Sequence, residues 1–239
     1  MAAEMLVAIL GGGRLGSAIK TACEQQNVHH FVVSGEALRK PHPPGLLKDA
    51  NTPYRPIVLV DASQGEAVAG HVSWALELSE PIVIGATGHG VTREELTRRV
   101  EQRIGVLLAP NFAPGALLLG RLCEAIGGWC APGGFSPFLE ERHHALKKDA
   151  PSGTAVWLKG RLASTGGPEL PITSTRAGQV PGAHLLGLHS SGELLEFGHT
   201  ALSREAYGAG AIAACKFLLG KQGVFGIEDW AREMFPWPK

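Results

Sequence analysis

Met5–Gln26 reads MLVAILGGGRLGSAIKTACEQQ, and the fold follows from it. Met5–Leu10 is a short, continuous apolar run closed by three glycines. A run of that length, ended by turn residues, suits a strand buried on both faces, as in a parallel sheet. A helix follows the glycines. Gly11, Gly13 and Gly16 satisfy G-x-G-x-x-G directly after a strand and at the opening of a helix, the setting in which that spacing binds a dinucleotide. The glycines permit a tight turn and close approach of a pyrophosphate, whose charge the helix start receives. The expected phosphate loop is therefore Gly11, Gly12, Gly13, Arg14, Leu15 and Gly16.

Outward from this unit, strands and helices alternate. His30–Ser34, Ile57–Asp61, Pro81–Ile84 and Val106–Leu108 read as further strands. Glu66–Glu77 and Thr92–Arg103 read as helices, the second capped by Thr92 with Glu95 at the capping-box position. Such alternation indicates an α/β, Rossmann-like, doubly wound parallel sheet. Residues 40–56 are rich in proline and read as loop. Glu36 stands where an acidic residue would bind an adenosine ribose, but Arg39 and Lys40 follow and suit a 2′-phosphate, so NADH and NADPH both remain open. Asn111 sits at the carboxyl end of a strand, where ligands of parallel sheets bind.

The 239 residues suffice for one large or two small domains with a substantial core. Hydrophobic residues make up 44% and charged residues 18%, a globular balance. The formal net charge of zero gives no bulk attraction to nucleic acid or anionic membrane. No apolar run approaches the ~20 residues of a bilayer span, and the start lacks the basic region of a signal peptide. Cys23, Cys123, Cys130 and Cys215 form no C-x-x-C pair and no zinc spacing with histidine. They read as reduced, buried thiols of a cytoplasmic protein, and no metal is expected.

The densest chemistry lies in Glu141–Ala155, ERHHALKKDAPSGTA. Pro151 suits the first turn of a helix, placing Ser152, Gly153 and Thr154 at its start. Unpaired N–H groups and the positive dipole end there attract an anion. His143, His144 and Lys147 supply titratable donors just upstream. An ammonium and a helix start facing one cavity suit a small carboxylate, and a histidine beside them suits proton transfer near neutral pH. Downstream, Leu117–Ile126 reads as a helix, Phe138–Glu140 as a strand, Ile172–Phe197 as a β-rich antiparallel or mixed region, and Glu205–Gly220 as a helix of small residues. The end contains a short amphipathic helix. Arg176 is a candidate bidentate donor to a substrate carboxylate.

Glu141, His143, His144, Lys147 and Asp149–Ala155 resemble the signature E-x-H-H-x-x-K-x-D-A-P-S-G-T-A of the 4-hydroxy-tetrahydrodipicolinate (dihydrodipicolinate) reductase family. Arg176, Gly178, Gly182 and His184 resemble its R-x-G-x-x-x-G-x-H, and Glu196, His199, Ala201, Ser203 and Arg204 its E-x-x-H-x-A-x-S-R. Gly85-Ala86-Thr87-Gly88 is similar to its G-T-T-G, and Ala109-Pro110-Asn111-Phe112 to its A-P-N-F. Leu10, Ala86 and Ala113 depart from the pattern. The resemblance implies NADH- or NADPH-dependent reduction of a cyclic dicarboxylate, 4-hydroxy-tetrahydrodipicolinate, in lysine and diaminopimelate synthesis. It implies His143 as general acid and Lys147 as second proton donor, with His144, Ser152, Gly153 and Thr154 on the carboxylates. Gly85, Ala86, Thr87, Ala109, Pro110, Asn111 and Phe112 would join the cofactor site. It further implies a dinucleotide-binding domain of residues 1–112 plus 205–239, a substrate and oligomerisation domain of 113–204, a hinge near Phe112 and Arg204, and a homotetramer. Two alternatives stand: a related amino-acid dehydrogenase sharing the nucleotide half, and a non-catalytic nucleotide sensor derived from the reductase.

Overall fold

The computed structural model describes residues 5–43, 45 and 56–237. Most of the proline-rich stretch expected as loop lies outside them. By internal contacts the chain divides into two compact units, Met1–Phe112 with Tyr207–Trp230, and Ala113–Ala206 with Ala231–Lys239.

In the first unit, β1 (Leu6–Leu10) has every residue buried, as its unbroken apolar run requires. It leads through the glycines into α1 (Arg14–Gln25) and then β2 (His29–Val33). A 3-10 turn covers Gly35–Arg39. β3 (Ile57–Asp61), α2 (Val68–Leu78), β4 (Ile82–Ile84), α3 (Arg93–Val100) and β5 (Gly105–Leu108) complete the alternation. The Oγ1 of Thr92 accepts the Glu95 N–H at 3.1 Å, as the capping pattern requires. α3 stops at Val100, three residues short of expectation, because Glu101 and Gln102 both adopt positive φ. Among the described residues the six parallel strands order β10-β5-β4-β3-β1-β2. The chain reverses direction across the sheet between β1 and β3, so the crevice above their carboxyl ends is the natural ligand position.

The edge strand β10 (Gly223–Gly226) was not foreseen. Glycines occupy two of its four positions, and it offers no alternation to read; pairing with β5 supplies what its side chains do not.

In the second unit, α4 (Pro114–Cys130) is longer than the expected 117–126. Pro114 starts it early at N1, where a missing N–H costs nothing. β6 (Ser136–His143), β7 (Ile172–Arg176), β8 (Gly182–His189) and β9 (Leu194–Ala201) form a mixed sheet in the order β7-β6-β8-β9. β6 runs parallel to β7 and antiparallel to β8. α4 and α5 (Gly153–Ala163) share a core with this sheet through Leu119, Leu139, Leu158, Leu162 and Leu186.

α6 (Glu205–Leu218) follows β9, and α7 (Ile227–Met234) follows β10. From Ala231 onward the chain clusters with the second unit, where the expectation kept residues 205–239 together with the first. The cause is an Arg–Glu network: Arg121 donates to Phe235 O at 3.2 Å and pairs with Glu124, which also accepts from Arg232. Arg121 further lies 5.0 Å from the Trp237 ring centre. No helix among the described residues is long and apolar enough to cross a membrane. The four cysteines are buried and unbridged.

Candidate active site

In the first unit, a cavity of about 310 Å³ lies at the carboxyl ends of β1 and β3, walled by Gly11, Gly12, Gly13, Gly35, Arg39 and Ser63 among others. Gly11 adopts φ +119°, and a Cβ there would lie 2.7 Å from Ala62 O. Gly16 is the packing glycine: its Cβ would fall 1.8 Å from Gly11 O. Gly13 differs, with nothing within 4 Å of the position a Cβ would fill. It is the N-cap of α1, so open space meets the helix start there. Arg14 is exposed and Leu15 half-buried. Further along the same sheet edge, Gly85, Ala86, Ala109 and Phe112 are buried, whereas Thr87 and Pro110 are exposed and Asn111 is half-buried. The N–H groups of Gly85 and Ala86 donate to Asp61 O at 2.9 and 3.0 Å. A Cβ on Gly85 would press on the Phe112 ring, 2.4 Å from its Cε2. These residues therefore shape the edge of the sheet.

Sequence reasoning missed a buried pair beneath this cavity. His71 Nδ1 lies 2.7 Å from Asp61 Oδ2, and its Nε2 lies 3.2 Å from Leu38 O. Trp74 Nε1 donates to Lys40 O at 3.2 Å. Both side chains of α2 thus tie down the turn that carries Arg39. A lone histidine within a helix gives no spacing signal that would distinguish it from an exposed one.

The second unit gathers the other site residues around the end of β6. The strand was expected to end at Glu140; it continues to His143 and alternates cleanly. Glu140 and Arg142 are exposed, while Leu139, Glu141 and His143 are buried on one face. E-x-H on a strand therefore puts a carboxylate and an imidazole side by side. His143 Nδ1 contacts Glu141 Oε2. Glu141 Oε1 accepts from Arg176 Nη2 at 2.7 Å and from the Ser152 N–H at 3.3 Å. Burial alone would raise the Glu141 carboxyl, but hydrogen bonds from Arg176 and Ser174, with the charges of His143 and Arg176, hold it below its ordinary value. Burial pushes the His143 imidazole down, the Glu141 charge resists, and Lys147 adds to the lowering.

His144 and Lys147 lie in the loop after β6. The Lys147 ammonium pairs with Asp149 Oδ1 at 2.8 Å. Burial would raise the Asp149 carboxyl, but the Lys147 hydrogen bond and charge outweigh it. Pro151, joined to Ala150 by a cis peptide, precedes the helix and does not stand in its first turn. Ser152 is the N-cap of α5: its Oγ accepts the Ala155 N–H at 3.2 Å and lies 3.2 Å from His184 Nε2. Its hydroxyl is 2% exposed and faces the helix and His184. Gly153 is exposed, with open space where a Cβ would be. Thr154 is half-buried one residue on.

A row of imidazoles crosses the sheet, buried at His143 and His184 and half-buried at His199. Register places His184 opposite Glu141 and His199 opposite His184. The His143 and His184 ring centres are 5.3 Å apart. Burial and the His143 charge push His184 down to about 3, so it is neutral under ordinary conditions. Burial also lowers His199. Glu141, His143 and His184 together could hold a metal ion, although the Arg176 guanidinium on the same carboxylate opposes a further cation.

Architecture alone puts the chain among Rossmann-type proteins that carry a second, mixed-sheet unit. Family patterns narrow this. The one described as dihydrodipicolinate reductase, N-terminus, matches residues 5–112, and its C-terminal counterpart matches residues 115–230. A 4-hydroxy-tetrahydrodipicolinate reductase of Nitrosomonas europaea is 31% identical over 93% of this chain and 96% of its own length. One from Zymomonas mobilis is 31% identical over 91% and 92%. The dipicolinate-bound dihydrodipicolinate reductase of Paenisporosarcina sp. TG-14 superposes with a TM-score of 0.71 at 21% identity, covering 94% of this chain and 99% of that one. The chain belongs to the dihydrodipicolinate reductase family and is an oxidoreductase.

Proposed function

We propose that the chain reduces 4-hydroxy-tetrahydrodipicolinate to tetrahydrodipicolinate with loss of water, using NADH or NADPH, in lysine and diaminopimelate synthesis. The observation that carries this reading is the clamped pair of proton donors beside one helix start: His143 against Glu141 and Lys147 against Asp149, next to Ser152–Thr154. The cradle at Gly11–Gly13, open at Gly13, fits a dinucleotide phosphate. Arg14, Leu15 and Gly16 set the start of α1 behind it, and Gly85–Thr87 with Ala109–Phe112 line the cofactor's further course. A nicotinamide cofactor supplies the hydride when bound.

The chain's own residues do the rest. His144 and the starting turn of α5 at Ser152, Gly153 and Thr154 hold the substrate carboxylates. His143 and Lys147 give up protons as the hydroxyl leaves as water and the hydride takes its place. Negative charge builds on the acceptor as it is reduced, and an adjacent acid lowers that barrier. The first unit, expected as residues 1–112 plus 205–239, binds the dinucleotide. Residues 113–204 bind substrate and build a homotetramer, a reading that suits the exposed Leu194 and Leu195 of β9; sedimentation velocity distinguishes that assembly from a monomer. Four buried thiols suit the cytoplasm.

The test is oxidation of NADH and of NADPH, followed at 340 nm, with freshly generated 4-hydroxy-tetrahydrodipicolinate. Turnover with at least one cofactor is expected, and the two rates rank them. A protein that binds a cofactor but turns nothing over would overturn the reading in favour of a sensor.

Substrate binding should also be coupled to protons. His143 faces Glu141 on its own strand, Arg176 on β7, His184 on β8 and Lys147 in the loop. Burial and the Lys147 charge hold its pKa below the ordinary value. A bound dicarboxylate favours the charged imidazole and raises that value. Dipicolinate affinity is then expected to increase as pH falls through the raised pKa and to level off below the ligand-free one. Calorimetry in two buffers of different ionisation enthalpy reads the proton uptake; proton release on binding contradicts the assignment.

A further inference from the structure

Arg176 was expected as a donor to a substrate carboxylate, yet both terminal nitrogens of its guanidinium are occupied inside the protein. Nη1 donates to Thr175 O at 2.9 Å. Nη2 donates both to Glu141 Oε1 at 2.7 Å and to Asp149 O at 2.6 Å. The first acceptor belongs to the carboxylate against His143, and the second is the backbone of the residue that pairs with Lys147. One nitrogen of one side chain thus joins the supports of both proton donors.

We propose that Arg176 is a positioning residue that sets His143 and Lys147 as a unit, acting through Glu141 and Asp149. The proposal rests on the reading of His143 and Lys147 as the proton donors.

The local fold makes this bridge possible. β6 and β7 are parallel, and the register places Arg176 beside His143 at their carboxyl ends. Ala177 N–H donates to His143 O at 3.1 Å, and Ala145 N–H to Gly178 O at 3.2 Å, so the two strand ends leave the sheet together. Arg176 then reaches one way to β6 and the other way to the loop that ends at the N-cap of α5. Glu141 is fully buried, and a buried carboxylate is stable only when paired. Arg176 supplies that pairing on Oε1, which leaves Oε2 for His143. An ionised carboxylate only accepts, so a hydrogen on Nδ1 would suit the contact with Oε2 and would leave Nε2 as the nitrogen that gains and loses the transferable proton. The geometry at Asp149 differs in kind: its carbonyl is held, and its carboxylate is turned toward the Lys147 ammonium. A lysine at position 176 would keep the charge but lose the planar group that fixes Nη2 between Glu141 and Asp149 while Nη1 is anchored on Thr175 O.

A substrate ligand and a positioning residue predict different kinetics. Arg176→Met, Arg176→Lys and Glu141→Gln are compared with the wild type for kcat, KM and dipicolinate affinity. The expected result is a kcat loss of about 10²-fold in both Arg176 variants, the size of an ~1 Å misplacement. Dipicolinate affinity should change less than about threefold. Glu141→Gln should lose a similar factor, and the Arg176→Met/Glu141→Gln double variant should lose little more than either single, because both act through one network. A KM or affinity loss with kcat intact would make Arg176 a substrate ligand and overturn the proposal, as would full rescue by lysine.

A second readout does not need turnover. Glu141 raises the His143 pKa, so Glu141→Gln should lower it and free its tautomer, seen in ¹⁵N imidazole shifts of the folded protein. Arg176→Met should also disturb the tautomer. Unchanged His143 signals in both variants would sink the proposal even if the wild type proved inactive on 4-hydroxy-tetrahydrodipicolinate. Altered signals in an inactive wild type would instead fault the reaction assigned above while leaving the bridge intact.

Discussion

The His143→Ala/Lys147→Ala enzyme should turn over at least about 10²-fold more slowly than the wild type, with cofactor affinity unchanged. General acid catalysis by a positioned side chain contributes about 10²–10⁴-fold, and the proposed function assigns that step to this pair. Cofactor affinity should hold because both residues lie in the second unit, in β6 and the loop after it. The single variants separate the donors. His143→Ala leaves Glu141 buried with its Arg176 pair but without its imidazole, so its effect combines the lost acid with a local charge change. His143→Gln keeps a hydrogen-bond donor toward Glu141 and removes the titratable group, and isolates the acid. Burial and Lys147 hold the His143 pKa below its ordinary value against Glu141, so an acid role for it calls for the dicarboxylate to raise it on binding. Should His143→Gln retain near-full kcat while Lys147→Ala loses it, the ammonium is the principal donor and His143 is a binding group. Equal, near-full activity in both would remove proton donation from this cluster altogether.

Much of this was legible from short-range pattern. The all-apolar Leu6–Leu10, ended by glycines that permit a turn, suits a strand buried on both faces, and β1 is one. Ser152 caps α5 where Pro-Ser-Gly-Thr placed a helix start. What was not legible depends on contacts distant in sequence. Arg176 looks like a free cation until the register sets it beside His143, thirty-three positions upstream. The Asp61–His71 pair and the capture of residues past Ala231 by Arg121 are of the same kind. Each is a polar group whose partner is chosen by the fold, and no period announces such a choice. The strand end at His143 was missed for a related reason: two charged residues and two buried titratable ones disguise an alternation that is plain once burial is known.

Gly16→Ala and Gly13→Ala should fail in opposite ways, and together they separate folding from cofactor binding. Intrinsic helix preference favours alanine over glycine by about 1 kcal/mol inside a helix, so at Gly16 propensity alone predicts a gain. Packing reverses the sign. The new Cβ would meet a backbone oxygen, Gly11 O, at 1.8 Å, with Ile9 Cγ2 at 3.4 Å behind it. Neither is the far end of a flexible side chain. α1 must lift from β1, and overpacking of this kind costs about 1–3 kcal/mol or more. The expected result is a lower urea midpoint, accompanied by weaker dinucleotide binding because the phosphate turn moves with the helix. Gly13 has no such neighbour. Alanine is a poorer N-cap than glycine, which limits the stability loss to about 1 kcal/mol or less. Its methyl, however, projects into the open space over the helix start, where a phosphate would lie. Gly13→Ala is therefore expected to keep nearly the wild-type urea midpoint while NADH and NADPH affinities fall at least about tenfold, the equivalent of 1.4 kcal/mol. If Gly13→Ala binds both cofactors as tightly as the wild type, the phosphate does not sit at this turn, and the dinucleotide must be placed elsewhere along the sheet edge.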